Sequence, residues 1–234
     1  MGENRHNPDQ LLKAIQADEE NRNKGHLKIF FGYAAGVGKT YAMLEAAHMA
    51  KQQGIDVVAG YIEPHACPKT AALLNGLEVL PTREVLYNGM ILNEFDIDMA
   101  LKRKPQLILV DELAHTNAEG CRHAKRYQDI KELLNAGIDV YTTVNVQHIE
   151  SLCDTVSSIT EIVVQERIPD SLFDNADQVK LMDIEPQDLI DRLNTGNVYR
   201  QTQAKQVVEN FFTIENLTAL REIALWRCAD RVNI

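Results

Sequence analysis

Apolar positions along the chain fall into two kinds of pattern, short continuous runs and helical spacing, and the two alternate. Ile29-Phe30-Phe31 is a run bounded by Lys28 and Gly32, which predicts a buried strand. A glycine-rich stretch follows, and then Ala42, Leu44, Ala46, Ala47, Met49 and Ala50 recur at the spacing of a helix closed by Gln53-Gly54. Residues 55–62 supply a second strand. A helix between two such strands is a βαβ unit, so the sheet is expected to be parallel with a right-handed crossover.

The alternation continues. Asp96 is placed to cap a helix through Arg103, and Leu107-Ile108-Leu109-Val110 reads as a buried strand. Residues 124–134 read as a helix ended by Asn135-Ala136-Gly137, and residues 137–144 as the next strand. Further strands are expected at 161–165 and 179–184, and helices at 70–74, 149–156, 186–193, 203–212 and 216–227. Asn88-Gly89 between two apolar patches predicts a small antiparallel hairpin. Residues 1–7 read as a polar leader, with a short helix opening at Pro8 and a charged run from Asp18 to Lys24.

Chemistry enters at the end of the first strand. Gly32-Tyr33-Ala34-Ala35-Gly36-Val37-Gly38-Lys39-Thr40 joins a strand to a helix, the context of a phosphate-binding loop. Glycines let successive backbone N–H groups curl round phosphate oxygens, and the helix adds its positive N-terminal end. Gly36, Val37, Gly38, Lys39 and Thr40 are thus candidate ATP contacts, with Lys39 on the terminal phosphates and the Thr40 hydroxyl on Mg²⁺. The strict pattern has glycine at position 33, where this chain has Tyr33. About seventy residues on, Val110-Asp111-Glu112 ends a buried strand in two acids: Asp111 is the second candidate for Mg²⁺, and Glu112 the candidate to polarise an attacking water. Thr143, Asn145 and His148 lie at and just beyond the end of a later strand, where a polar group reads the terminal phosphate; helix capping is the competing reading. Glu63 and His65 lie beyond the second strand, at the ligand-binding edge of such sheets. Arg122, Lys125 and Arg126 sit near the acids, as phosphate contacts, as solvated cations or as partners of carboxylates. His115, Cys121 and His123 match no zinc spacing and read as loop residues satisfied by neighbours.

These motifs give the fold expectation: an α/β, three-layer P-loop NTPase-like fold with a mainly parallel sheet and a helical C-terminal extension. Composition narrows the partners. A net charge of −10 argues against a nucleic-acid or membrane-surface binder, which needs clustered positive charge. Cysteines at 67, 121, 153 and 228 form no C-x-x-C pair, which fits a reduced, cytoplasmic protein. No apolar run has the length of a membrane span.

Several motifs also carry a resemblance. Lys28 to Gly32 with Ala35-Gly36-Val37-Gly38-Lys39-Thr40, Leu109-Val110-Asp111-Glu112-Leu113-Ala114-His115-Thr116-Asn117, Arg122-His123-Ala124-Lys125-Arg126 and Thr142-Thr143-Val144-Asn145-Val146-Gln147-His148 resemble the N-terminal domain of KdpD-type potassium-responsive sensor histidine kinases. Phe95-Asp96-Ile97-Asp98 and Asn216-Leu217-Thr218-Ala219-Leu220-Arg221-Glu222 match as well. The likeness implies a cytoplasmic sensory domain that binds ATP through Lys39 and Asp111 and tunes a two-component system for potassium uptake. Its partners would be other domains or subunits of that system. The expected division is a leader at 1–26, the nucleotide-binding sensor domain at 27–200 and the extension at 201–234. Where relatives carry His-Gly-Arg after the second strand, this chain has His65-Ala66-Cys67. Two other readings remain: a P-loop ATPase or small-molecule kinase with Glu112 or Glu63 as base, and a docking module in which Tyr33 fills the phosphate pocket.

Overall fold

The structure is a computed structural model that describes residues 23–63, 68–87, 89–194 and 211–232. Strands β1 (Leu27–Gly32), β2 (Val57–Tyr61), β3 (Glu78–Val79), β6 (Leu107–Val110), β7 (Asp139–Asn145) and β8 (Gln178–Met182) form one sheet in the order β3-β2-β6-β7-β1-β8. Every pairing within it is parallel. Strands β4 (Arg83–Tyr87) and β5 (Met90–Glu94) form the separate antiparallel hairpin that Asn88-Gly89 predicts. The helices are α1 (Lys39–Gln52), α2 (Pro68–Ala72), α3 (Ile97–Arg103), α4 (Arg126–Asn135), α5 (Cys153–Thr160), α6 (Asp170–Asp174), α7 (Pro186–Asn194) and α8 (Ile214–Val232). The α/β class and the parallel sheet are therefore as the apolar pattern implies.

Alternation along the strands divides the core between the two faces of the sheet. Phe30, Ala59, Leu107 and Leu109 pack with Met43, Leu44 and Ala47 of α1. Their chain neighbours Ile29, Phe31, Val58, Ile108 and Val110 face the other way, onto Ile130 and Leu133 of α4 and onto Leu217, Leu220 and Ala224 of α8. Both faces are covered, so central strands read as unbroken apolar runs rather than alternating ones. Helix α3 begins where its cap predicts, with the Asp96 carboxylate accepting from the Met99 amide at 3.0 Å.

Three local readings are corrected. Residues 161–165 are not a strand: β8 already occupies the open edge of β1, and this segment passes outside with Val163 exposed. Residues 149–156 are not one helix. Ile149 is extended and bridged to Ile168, so two 3₁₀ turns (Val146–His148 and Glu150–Leu152) precede α5. The short edge strand β3 was not anticipated, since two exposed residues, Glu78 and Val79, carry no periodic signal. The expected N-terminal helix, His65, Cys67 and most of the 203–212 helix lie outside the described residues.

Helix α8 lies directly on the body of the domain. Arg221 forks onto Asp183 at 2.6 and 2.9 Å and reaches Glu185 at 2.8 Å. Arg227 bonds Asp174 at 2.5 Å and lies over the Phe173 ring. No helix among the described residues is long and apolar enough to cross a membrane.

Candidate functional site

Register brings the candidate residues to one edge. Phe30 pairs with Thr143 and Gly32 with Asn145 across β1 and β7, while Val110 pairs with Thr142 across β6 and β7. The loop after β1, the acids after β6 and the polar end of β7 therefore meet beyond the carboxyl ends of three neighbouring strands, where open α/β sheets bind ligands.

The loop at 32–38 is built by its glycines. Gly36 and Gly38 have φ of 90° and 100°, a region that costs residues with a Cβ. A Cβ on Gly32 would meet Val37 at 2.5 Å, so the tight exit from β1 also needs glycine. Gly38 caps α1 without a side-chain bond, leaving the first turn of that helix to serve other acceptors. Lys39, the first residue of α1, turns back over the loop and donates to the Ala34 carbonyl at 3.1 Å. Desolvation lowers its pKa to about 8, against the opposing pull of Asp111 and Glu112. A lysine that is costly to keep charged is one that gains from an added anion.

Asp111, whose charge acts on this lysine, is nearly inaccessible. The Thr40 hydroxyl donates to its two carboxylate oxygens at 3.1 and 3.3 Å, and the Thr143 hydroxyl donates to Oδ1. The Glu112 amide completes the set, donating to Asp111 Oδ1 and to Thr143 Oγ1, both at 3.2 Å. Thr143 is thus a buried support for Asp111. The Glu112 carboxyl stays accessible and is raised in pKa, first by desolvation among its neighbours and then by the like charges of Asp111 and Glu63. Lys39, Glu112, Thr143, Asn145 and His148 line one open cleft. His148 donates its Nδ1–H to the Glu166 carbonyl at 2.9 Å, and burial lowers its pKa.

Tyr33 does not enter this cleft. It is buried in the core on the other side of the loop, and its hydroxyl donates to the Ile184 carbonyl at 3.1 Å. The reading in which it fills the phosphate pocket is overturned, because an apolar ring gains more from the core than from a polar loop. Glu63 is held by the Tyr61 hydroxyl at 2.7 Å. Arg122 pairs with Asp98 and Glu132, and the two loop histidines are satisfied locally, His115 by Glu94 and His123 by Glu132. Cys121, Cys153 and Cys228 are free thiols.

Arg126 is a partner of a carboxylate, one of the readings its position offered, but its complete burial was not foreseen. It is fully buried at the first position of α4, with NH1 on the Asp111 carbonyl and NH2 on Glu94, both at 3.1 Å, and its guanidinium 4.1 Å from the Tyr61 ring. Burial alone would raise the Glu94 carboxyl, but His115, the Ala118 amide and Arg126 together hold it below its usual range. The sequence did contain a hint: a cation at a helix N-terminus opposes the dipole and needs some other reason to be there.

Comparison with known proteins agrees with these motifs. Residues 23–232 match the family model described as KdpD, Osmosensitive K+ channel His kinase sensor domain. The sensor protein KdpD of Clostridium acetobutylicum is 61% identical over 98% of this chain, and that of Escherichia coli K12 is 55% identical over the same share. A putative sensor protein KdpD from Synechocystis is 50% identical over 89% of the chain. The chain spans 25% of the length of the first two relatives and 56% of the third. It belongs to the KdpD family of osmosensitive potassium-channel sensor-kinase domains.

Proposed function

We propose that this domain binds Mg·ATP at the carboxyl edge of its sheet, in a P-loop NTPase-like manner, and acts as the nucleotide-responsive sensory part of a KdpD-type two-component system controlling potassium uptake. One observation carries the reading: the Thr40 hydroxyl and the Asp111 carboxylate meet at 3.1 Å at the head of α1, where Lys39 is the first residue and feels the Asp111 charge. A hydroxyl and a carboxylate that already share a proton donor–acceptor contact are a donor set suited to a hard divalent cation. The residues present therefore fit the group. Thr40 and Asp111 would hold Mg²⁺, with Thr143 fixing Asp111 from behind. Bound Mg²⁺ would neutralise phosphate charge.

The chain's own residues supply the rest. Backbone amides of residues 36–40 would bind the phosphates, aided by the helix end. Lys39, which donates to the Ala34 carbonyl, would bind a phosphate oxygen instead, an anion offsetting the desolvation of its charge. Glu112, at the rim of the cleft, is the residue placed to accept a proton should turnover occur. The signal would pass to other domains or subunits of the sensor system, with this domain on the cytoplasmic side.

The test is displacement of a fluorescent ATP analogue with and without Mg²⁺. In the wild type Mg²⁺ should tighten binding, and Asp111→Asn should lose that increment. An Asp111→Asn protein that keeps it would refute the assignment.

A further inference from the structure

Glu112 has φ of 62°. The two other non-glycine residues with positive φ among the described residues, Lys104 and Glu161, are helix C-caps, where that conformation is common. Glu112 is not a cap, so something must hold it there. Its φ is set by the orientation of the Asp111–Glu112 peptide plane, and both ends of that plane are pinned. The amide end donates to Asp111 Oδ1 and Thr143 Oγ1. The carbonyl end accepts from Arg126 NH1 at 3.1 Å. Arg126 in turn cannot move: NH2 is on Glu94, its plane lies against Tyr61, and no part of its side chain reaches solvent. Glu94 is fixed again by His115 Nε2 at 3.1 Å and the Ala118 amide at 3.0 Å.

We propose that Arg126, braced by Glu94, is a positioning residue that clamps the Asp111–Glu112 peptide and so holds the Glu112 carboxylate at the cleft beside Lys39. The guanidinium fork suits the task because one planar group reaches two acceptors at once. Glu94 ends β5, so the same clamp joins the cleft to the base of the β4–β5 hairpin. The importance of this pose for nucleotide chemistry rests on the Mg·ATP reading; the clamp itself is testable without nucleotide, so the two can fail separately.

The experiment compares Glu112→Gly with Glu112→Ala in two backgrounds by urea denaturation. Both remove the carboxylate, so their difference reports the backbone alone. In the otherwise wild-type chain the glycine variant should be favoured, with an unfolding equilibrium constant roughly 5- to 30-fold smaller, because only glycine adopts positive φ freely. In an Arg126→Met/Glu94→Gln background, which removes both buried charges together, the preference should vanish or reverse. A role for Arg126 in packing alone would leave the glycine preference unchanged, and that result would overturn the proposal. Should the double background fail to fold, Arg126→Lys carries the same comparison. It keeps the charge opposite Glu94 but cannot fork, and an undiminished preference there overturns the clamp equally.

Discussion

Lys39→Met should make the nucleotide-free protein more stable near neutral pH. Lys39 stands at about 8 in the folded chain against 10.5 for an unperturbed lysine, chiefly through desolvation. At about 1.4 kcal/mol per pH unit, that gap is worth roughly 3 kcal/mol. Methionine keeps the length of the stem but loses the bond to the Ala34 carbonyl, worth about 1 kcal/mol. Lys39 is also only half-buried, which shrinks the electrostatic part. A net gain of about 1–2 kcal/mol remains. The sign follows from proton linkage. The folded pKa is depressed, so between about 8 and 10.5 the unfolded chain binds more protons and wild-type stability rises with pH. The wild-type penalty is thus complete below about pH 8 and fades toward 10.5. Urea denaturation of both proteins near pH 7 and near pH 10 reads the difference. A methionine variant that is less stable near pH 7, or an advantage equal at both pH values, would refute the view that Lys39 is held desolvated in wait for an anion.

Other consequences are simpler. Thr143→Val removes the hydroxyl that donates to Asp111 and accepts from Glu112; it should cost about 1.5–3 kcal/mol in urea denaturation, with Thr143→Ser restoring most of it. Leu220→Ala should cost about 2.7–5 kcal/mol, since Leu220 is completely buried where α8 meets the sheet-side core. A loss below about 1 kcal/mol would mean that α8 is only loosely attached. Tyr33→Phe strands the Ile184 carbonyl and should cost about 1 kcal/mol while leaving nucleotide affinity unchanged; a large affinity change by calorimetry would put Tyr33 back in the cleft.

Much of this architecture was legible in local sequence. Buried parallel strands announce themselves as runs such as Leu107 to Val110, and the loop between β1 and α1 declares its glycines and Lys39 in order. The hairpin and the Asp96 cap are short-range signals and were equally readable. What failed depended on contacts far apart in the chain. Residues 161–165 have strand-like composition, yet whether they pair is decided by β8 taking the edge first. Tyr33 could be placed only once Ile184 was known to lie behind the loop, 151 residues away. The Arg126 clamp joins residues from β2, β5, the segment just after β6 and α4, and no spacing in the sequence brings Tyr61, Glu94, Asp111 and Arg126 together.

The central claim is that the loop at 32–40 is a working phosphate site, and calorimetric titration of Mg·ATP into wild type and Lys39→Met tests it most directly. Since the variant is expected to be at least as stable as the parent, a loss of binding there cannot be ascribed to unfolding. The account predicts saturable binding by the wild type and a loss of at least roughly 30-fold in Lys39→Met, the scale for removing one partner of a buried charge contact. Equal affinity in the two proteins, or none in either, would contradict it.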